Sequence, residues 1–262
     1  MRDLIRSLLA PFSSWKLIAL HLFGNAILFA AASLWLLIPE AHSWQLIATA
    51  LAATLLLVAI AWLHGGTLAH GLAATHDTLF SDLRLGLRNF LPIALVLILF
   101  FLLRGWSVAF ADRSWQISGY FFTRLPHFLQ TLFGETGFHK WIDFKFSALI
   151  WFFLPALFLP FLSAAAYSGF SRRALGPALR LYLRWKLWLA TALAALIGVW
   201  LPTLLINWTP GHGLRREAIS MALRFLAAYL LAIAAWLSLT SVVGALLRQS
   251  GLIQSSSGNP PA

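Results

Sequence analysis

The chain reads as an all-α polytopic membrane bundle with six transmembrane helices, and three observations predict it. First, 60% of the 262 residues are hydrophobic against 10% charged, where a soluble domain carries about 45–50% and about 25%. Second, six apolar runs are each long enough, at 1.5 Å per helical residue, to cross a bilayer core about 30 Å thick. Third, none of the eight acidic residues falls inside a run. With no water to pair the backbone, such runs must be helical, and none alternates in the two-residue period of an outer-membrane barrel. Residues 1–254 therefore form one transmembrane domain.

In chain order, 1–10 places Arg2 and Arg6 on one helical face and Leu4, Ile5, Leu8 and Leu9 opposite, the pattern of a short helix lying on the membrane surface. The first span is 17–38. Its basic start and Ala30–Ala32 are also features of a signal peptide, but Pro11 in the leader and the long apolar run favour an uncleaved anchor. The second span is 44–63 and the third 91–111. Between them Leu83-Arg84-Leu85-Gly86-Leu87-Arg88 matches Leu179-Arg180-Leu181-Tyr182-Leu183-Arg184 at five of six positions. Both pairs of arginines are spaced i,i+4 on one helical face. This predicts a weak, parallel two-copy repeat of a helix–basic elbow–helix unit, with amphipathic elbows lying at the interface.

The segment 112–145 is the one sizeable piece outside the spans. Within it, apolar residues from Phe121 to Phe133 recur at helical spacing, with Pro126 starting or kinking the helix and a turn expected at Gly134–Gly137. A segment this aromatic is expected to lie on the bilayer, fold over the bundle or meet a protein partner. The fourth, fifth and sixth spans are 146–167, 187–207 and 225–247. Pro155, Pro160 and Pro202 are expected to kink the fourth and fifth. The Ser-, Pro- and Gly-rich tail 255–262 is expected to be flexible.

With both termini cytoplasmic, that side holds eleven basic residues (Arg2, Arg6, Lys16, Arg84, Arg88, Arg172, Arg173, Arg180, Arg184, Lys186 and Arg248) and the opposite side seven, Arg104 lying within a span. The positive-inside rule favours this orientation. Arginine outnumbers lysine fifteen to four, which together with abundant alanine points to a GC-rich bacterial genome and a bacterial inner membrane. The net charge of +11 then serves topology rather than nucleic acid, and no nucleic-acid partner is expected.

Chemical motifs are scarce. Zero cysteines exclude disulfides, thiolate nucleophiles and Cys-ligated metals. There is no G-x-x-x-x-G-K-[ST], H-E-x-x-H or G-x-S-x-G, so no catalytic residue, cofactor or metal site is assigned. On one continuous helix His64, His70 and His76 point about 120° apart and do not converge on a metal, although His70 and Asp77 share a face. A haem between His21 and His64 is disfavoured because the two differ in depth. The intramembrane polar residues are His21 and Asn25, four apart on one face, with Arg104 and Asn207. The first pair is expected to hydrogen-bond between helices; Arg104 either snorkels outward or pairs with Asn207.

The layout is similar to that of many six-span bacterial inner-membrane proteins with a basic elbow after every second span, and it transfers no function. The expectation that follows is a non-catalytic accessory or interaction subunit. Its basic elbows (Arg84, Arg88, Arg172, Arg173, Arg180, Arg184 and Lys186) would contact anionic lipid or a partner, with a further protein partner at 112–145. The alternative is a transporter or permease for a lipid-like or small amphiphilic molecule.

Overall fold

The structure, a computed structural model, describes residues 2–39, 41–73, 79–169, 171–208 and 213–251. Among them all regular structure is helical, and six helices are long and apolar enough to cross a membrane. Five of the six expected runs lie within these helices, and the first, 17–38, outruns its helix Trp15–Leu36 by two residues.

A short helix α1 (Arg2–Leu9) and one 3-10 turn (Ala10–Ser13) lead to Ser14, which is extended, and then to the first span, α2 (Trp15–Leu36). Ser14 is a good N-cap because its Oγ accepts the Leu17 N–H, at 3.4 Å. The second span, α3, runs over Ser43–Leu72, well past the expected end at residue 63. Gly65 and Gly66 do not stop it, because inside a bundle these glycines serve contact rather than turning. Helix α4 (Leu79–Arg88) crosses them so closely that a Cβ on Gly86 would strike the backbone at Gly66. Then come the third span α5 (Phe90–Ala111), the short α6 (Ser114–Phe122) and the long α7 (His127–Ser168). An elbow helix α8 (Arg172–Arg180) leads into the fifth span, α9 (Trp185–Asn207), and the chain returns along the 36-residue α10 (Leu214–Gln249).

The outer segment differs in detail from the sequence expectation. Residues 121–133 are not one helix: α6 ends at Phe122, and α7 begins at His127 directly after Pro126. The proline lacks an N–H, which is harmless only at a helix start. The expected turn at 134–137 shrinks to a single departure at Gly134 (φ +61°), after which the helix resumes.

Three π-turns interrupt the spans: Ala61–Gly65 in α3, Leu149–Phe153 in α7 and Leu196–Trp200 in α9. The latter two share the sequence L-I-x-x-[F/W]-L-P, ending at Pro155 and Pro202. Each proline removes one backbone donor and crowds the carbonyl four residues earlier, and a widened turn relieves both. The π-turn at Ala61–Gly65 has no such proline.

The core centres on the last two turns of α7 and the second half of α10, where Leu237, Leu239, Val242, Val243, Leu246 and Leu247 are buried. By contrast α2 and α5 expose rows of large apolar side chains, as lipid-facing helices should. Two arms grip α10. The arm α1–3-10–Ser14–Trp15-Lys16-Leu17 has a counterpart in α8–3-10–Arg184–Trp185-Lys186-Leu187, with Ser14 at φ −105°, ψ 94° and Arg184 at φ −98°, ψ 112°. Residues 170 apart are buried in register: Leu4 with Ala174, Pro11 with Leu181, Leu17 with Leu187 and His21 with Thr191. The elbows matched by sequence share less, since Leu83 is buried whereas Leu179 is exposed.

Candidate functional site: a lateral cleft with a polar floor

All odd-numbered spans start, and all even-numbered spans end, on the face where both terminal helices lie, here the terminal face. Beside it α2, α3, α4 and α10 diverge around a cleft of about 1010 Å³. Its lining on α2 runs from Trp15 to Ile27, about 18 Å along the helix, close to half of a bilayer core about 30 Å thick. Phe23 and Ile27 on its rim are exposed to the lipid side, so the cleft opens sideways into one leaflet.

Three of the four helices line the cleft with a charged or ionisable group, Lys16, His70 and Arg248, and α4 supplies Asp82 as the partner of His70. His70 Nδ1 and Asp82 Oδ2 lie 2.7 Å apart and pin α4 to the end of α3. Arg248 donates to the carbonyl oxygens of Gly71 and, at 3.4 Å, Ala73, so it caps the exposed end of α3. No carboxylate balances its charge among its described partners. Deeper in, the walls are Leu20, Phe23, Gly24, Ile27, Trp62 and Leu237.

The floor is polar. Asn25 Nδ2 donates to His21 Nδ1 at 3.2 Å and to His21 O at 2.9 Å. The tautomer this imposes leaves His21 Nε2–H to donate to Thr67 Oγ1 at 2.7 Å, and Thr67 donates in turn to Leu63 O at 2.7 Å. Tyr229 on α10 donates to Leu22 O at 2.5 Å. The His64 ring lies 5.5 Å from the His21 ring and 5.3 Å, edge to face, from Trp236. Trp236 Nε1 is buried without a hydrogen-bond partner.

Of the expected interhelical bonding, His21 bonds to Thr67 across helices while Asn25 bonds within α2, and the expected depth difference between His21 and His64 is absent. The sequence estimate assumed that the second span ends at residue 63. Because α3 continues for eight residues beyond His64, that ring sits about 12 Å below the helix end, close to His21 at about 9 Å. Their rings touch, leaving no room for a macrocycle between them. His76 and Asp77 lie outside the described residues, among which no group of three ligand side chains could hold a metal.

The remaining singled-out residues scatter. Arg84 lies over the Phe80 ring at 5.5 Å, while Arg88, Arg172 and Arg180 are exposed. The Arg173 side chain lies outside the described set. Arg184 donates to Gln249 Oε1 at 3.1 Å and its carbonyl at 3.4 Å, tying α9 to the end of α10; Lys186 is half-buried. Arg104 stacks on Trp151 at 5.1 Å, while Asn207 is exposed. Arg224 instead reaches the end of α9, donating to Leu205 O and Ile206 O at 3.3 and 3.2 Å. Tyr182, in the second elbow, donates to Leu157 O, and burial pushes its phenol up to about 12, so it stays a donor across the physiological range.

Sequence reasoning missed the cleft, Thr67, Trp236 and Arg248. The available signals were Gly65, Gly66 and Gly71 near the end of one span and Gly244 in another, which mark close helix crossings. No protein-family model matches the chain, and comparison with the curated proteins and with the solved structures finds no match.

Proposed function

We propose that this chain is a multi-pass membrane protein that takes an anionic amphiphile from one leaflet into the cleft of α2, α3, α4 and α10, as a carrier or binding protein for lipid-like molecules. The cleft itself carries the reading: it is about one leaflet deep, open to lipid along its side, apolar within and cationic at its mouth. An acyl chain would replace lipid contacts along Leu20, Phe23 and Ile27, while a phosphate-bearing head would meet Lys16 and Arg248. The eleven-to-seven basic distribution supports placing the terminal face in the cytoplasm of a bacterial cell.

The test is lipid retention. The protein, purified in mild detergent, is expected to keep anionic phospholipid in defined stoichiometry by native mass spectrometry. Lys16→Glu at the mouth and Ala19→Trp inside should each reduce it severalfold. Retention unchanged in both variants would remove the reading.

A second reading, an accessory subunit of a membrane complex, is favoured by the hairpin of α6 and the start of α7. There Trp115, Tyr120, Phe121, Phe128 and Leu132 are all more than half exposed. A stoichiometric protein that co-purifies through this hairpin, with no specific lipid, would favour it.

A further inference from the structure

Two imidazoles, His21 buried and His64 half-buried, meet in ring contact between neighbouring spans, and polar side chains at such depth mark transport and proton pathways. His21 is accounted for: both ring nitrogens are hydrogen-bonded. His64 is not, having ring contacts but no hydrogen bond among the described residues. It also sits in the one π-turn that no proline explains, and such turns gather at functional positions. Beside it, the Trp236 ring packs edge to face, its centroid within the roughly 6 Å over which cation–π attraction acts.

We infer that His64 is a proton-binding site coupled to the cleft, so that the anionic amphiphile enters together with a proton. The inference rests on the proposed function above. The link runs through His21 and Thr67, a residue of the cleft lining. A proton on His64 adds positive charge behind that wall, which favours an anion within it; by linkage, the bound anion favours the proton. Neighbouring charge leaves His64 as the group that responds. Around it α2 presents His21 and, at the mouth, Lys16. Helix α3 adds His70, held by Asp82 of α4, which also carries Arg84 and Arg88. Helix α10 brings Tyr229 nearby, Arg248 at the mouth, and at its opposite end Arg215, Arg216, Glu217 and Arg224. Helix α5 meets the π-turn with Ile93 and holds only Arg104, far along the span; the final portion of α7 holds only Tyr167. No carboxylate in these elements lies beside the imidazole pair, so the incoming anion is the counter-charge.

The probe is palmitoyl lysophosphatidylglycerol, whose phosphodiester keeps one charge through the range where histidine titrates. Binding is measured calorimetrically on the full chain in phosphatidylcholine nanodiscs, in buffers of different ionisation enthalpy. The wild type should take up close to one proton per ligand, and its affinity should rise by up to about tenfold per unit fall in pH. His64→Gln should bind with pH-independent affinity and no proton uptake, while His127→Gln, exposed at the start of α7 on the face away from the cleft, should keep the wild-type uptake and pH dependence. Trp236→Phe, which keeps a weaker aromatic face, should lower the pH at which affinity rises, a readout that stands even if His64→Gln fails to fold. Wild-type binding without proton uptake overturns the coupling and leaves the cleft reading intact. Uptake that survives in His64→Gln, or vanishes in His127→Gln, overturns it as well. No binding at any pH overturns the cleft reading itself.

Discussion

Thr67 does two jobs with one hydroxyl, accepting from His21 and donating to the Leu63 carbonyl. Thr67→Val keeps the shape and leaves the imidazole donor buried and unpaired. Interhelical hydrogen bonds in membranes average about 0.6 and reach about 1.7 kcal/mol, so the loss should fall in that range, read by reversible unfolding in mixed micelles. Glycines give a sharper contrast. A Cβ on Gly244 would strike the Gly71 carbonyl, which is backbone and cannot swing aside, whereas Gly105 has nothing within 4 Å. Gly244→Ala should therefore cost about 1–3 kcal/mol by overpacking. Gly105→Ala should be neutral or gain up to about 1 kcal/mol of helix propensity. Equal effects of the two would show that α3 and α10 do not touch there. At this scale the sequence was only half legible. His21 and Asn25 announced hydrogen bonding between helices, but nothing local says that Thr67 is the partner of His21, or that Asn25 bonds within its own helix, because that depends on how two helices cross.

Elements were read better by hydropathy than by punctuation. Every span was visible because bilayer thickness sets its length, whereas Gly65 and Gly66 misled and Pro126 took one of its two expected roles. Gly65 and Gly66 look like a helix end and are a crossing point; Pro126 begins a helix; Pro155 and Pro202 widen a turn without ending one. The repeated Leu-Arg pairs drew attention to the elbows at an offset of 96, but the arms that share turn geometry and burial are 170 apart, signalled in sequence by Trp-Lys-Leu alone. The outer hairpin offers a direct check. Gly134 has φ +61° and ψ 161°, a region open essentially to glycine alone, with open space around it, so Gly134→Ala strains only the backbone, by about 1–3 kcal/mol. That strain should loosen the hairpin, so amide exchange should speed up on both sides of residue 134 while 154–168 stays protected. Uniform protection in the variant would mean that the kink is absent in the membrane.

For the whole molecule, an even number of spans puts α1 and the end of α10 on one face, where Ser238 Oγ donates to Leu8 O at 3.0 Å and Arg184 reaches Gln249. The basic distribution predicts that this face is cytoplasmic. Reporter fusions after Gln249 should be active only for cytoplasmic reporters, and activity confined to the other compartment would reverse the orientation. Composition alone made the bundle and its span count legible. The cleft was not, since it arises where α3 overruns its expected end and α4 folds across it. No periodicity along one chain segment encodes a space between four helices.

The central claim is that this space holds an amphiphile, and photochemistry tests it most directly. Reconstituted protein is illuminated with an anionic phospholipid carrying a diazirine partway along one acyl chain, and the adducts are mapped by peptide mass spectrometry. The cleft predicts adducts concentrated on Leu20, Phe23, Gly24 and Ile27 with Trp62 and Leu237 opposite, suppressed by Ala19→Trp. Adducts spread evenly over the exposed faces of α2, α5 and α9, and unchanged in that variant, would contradict it.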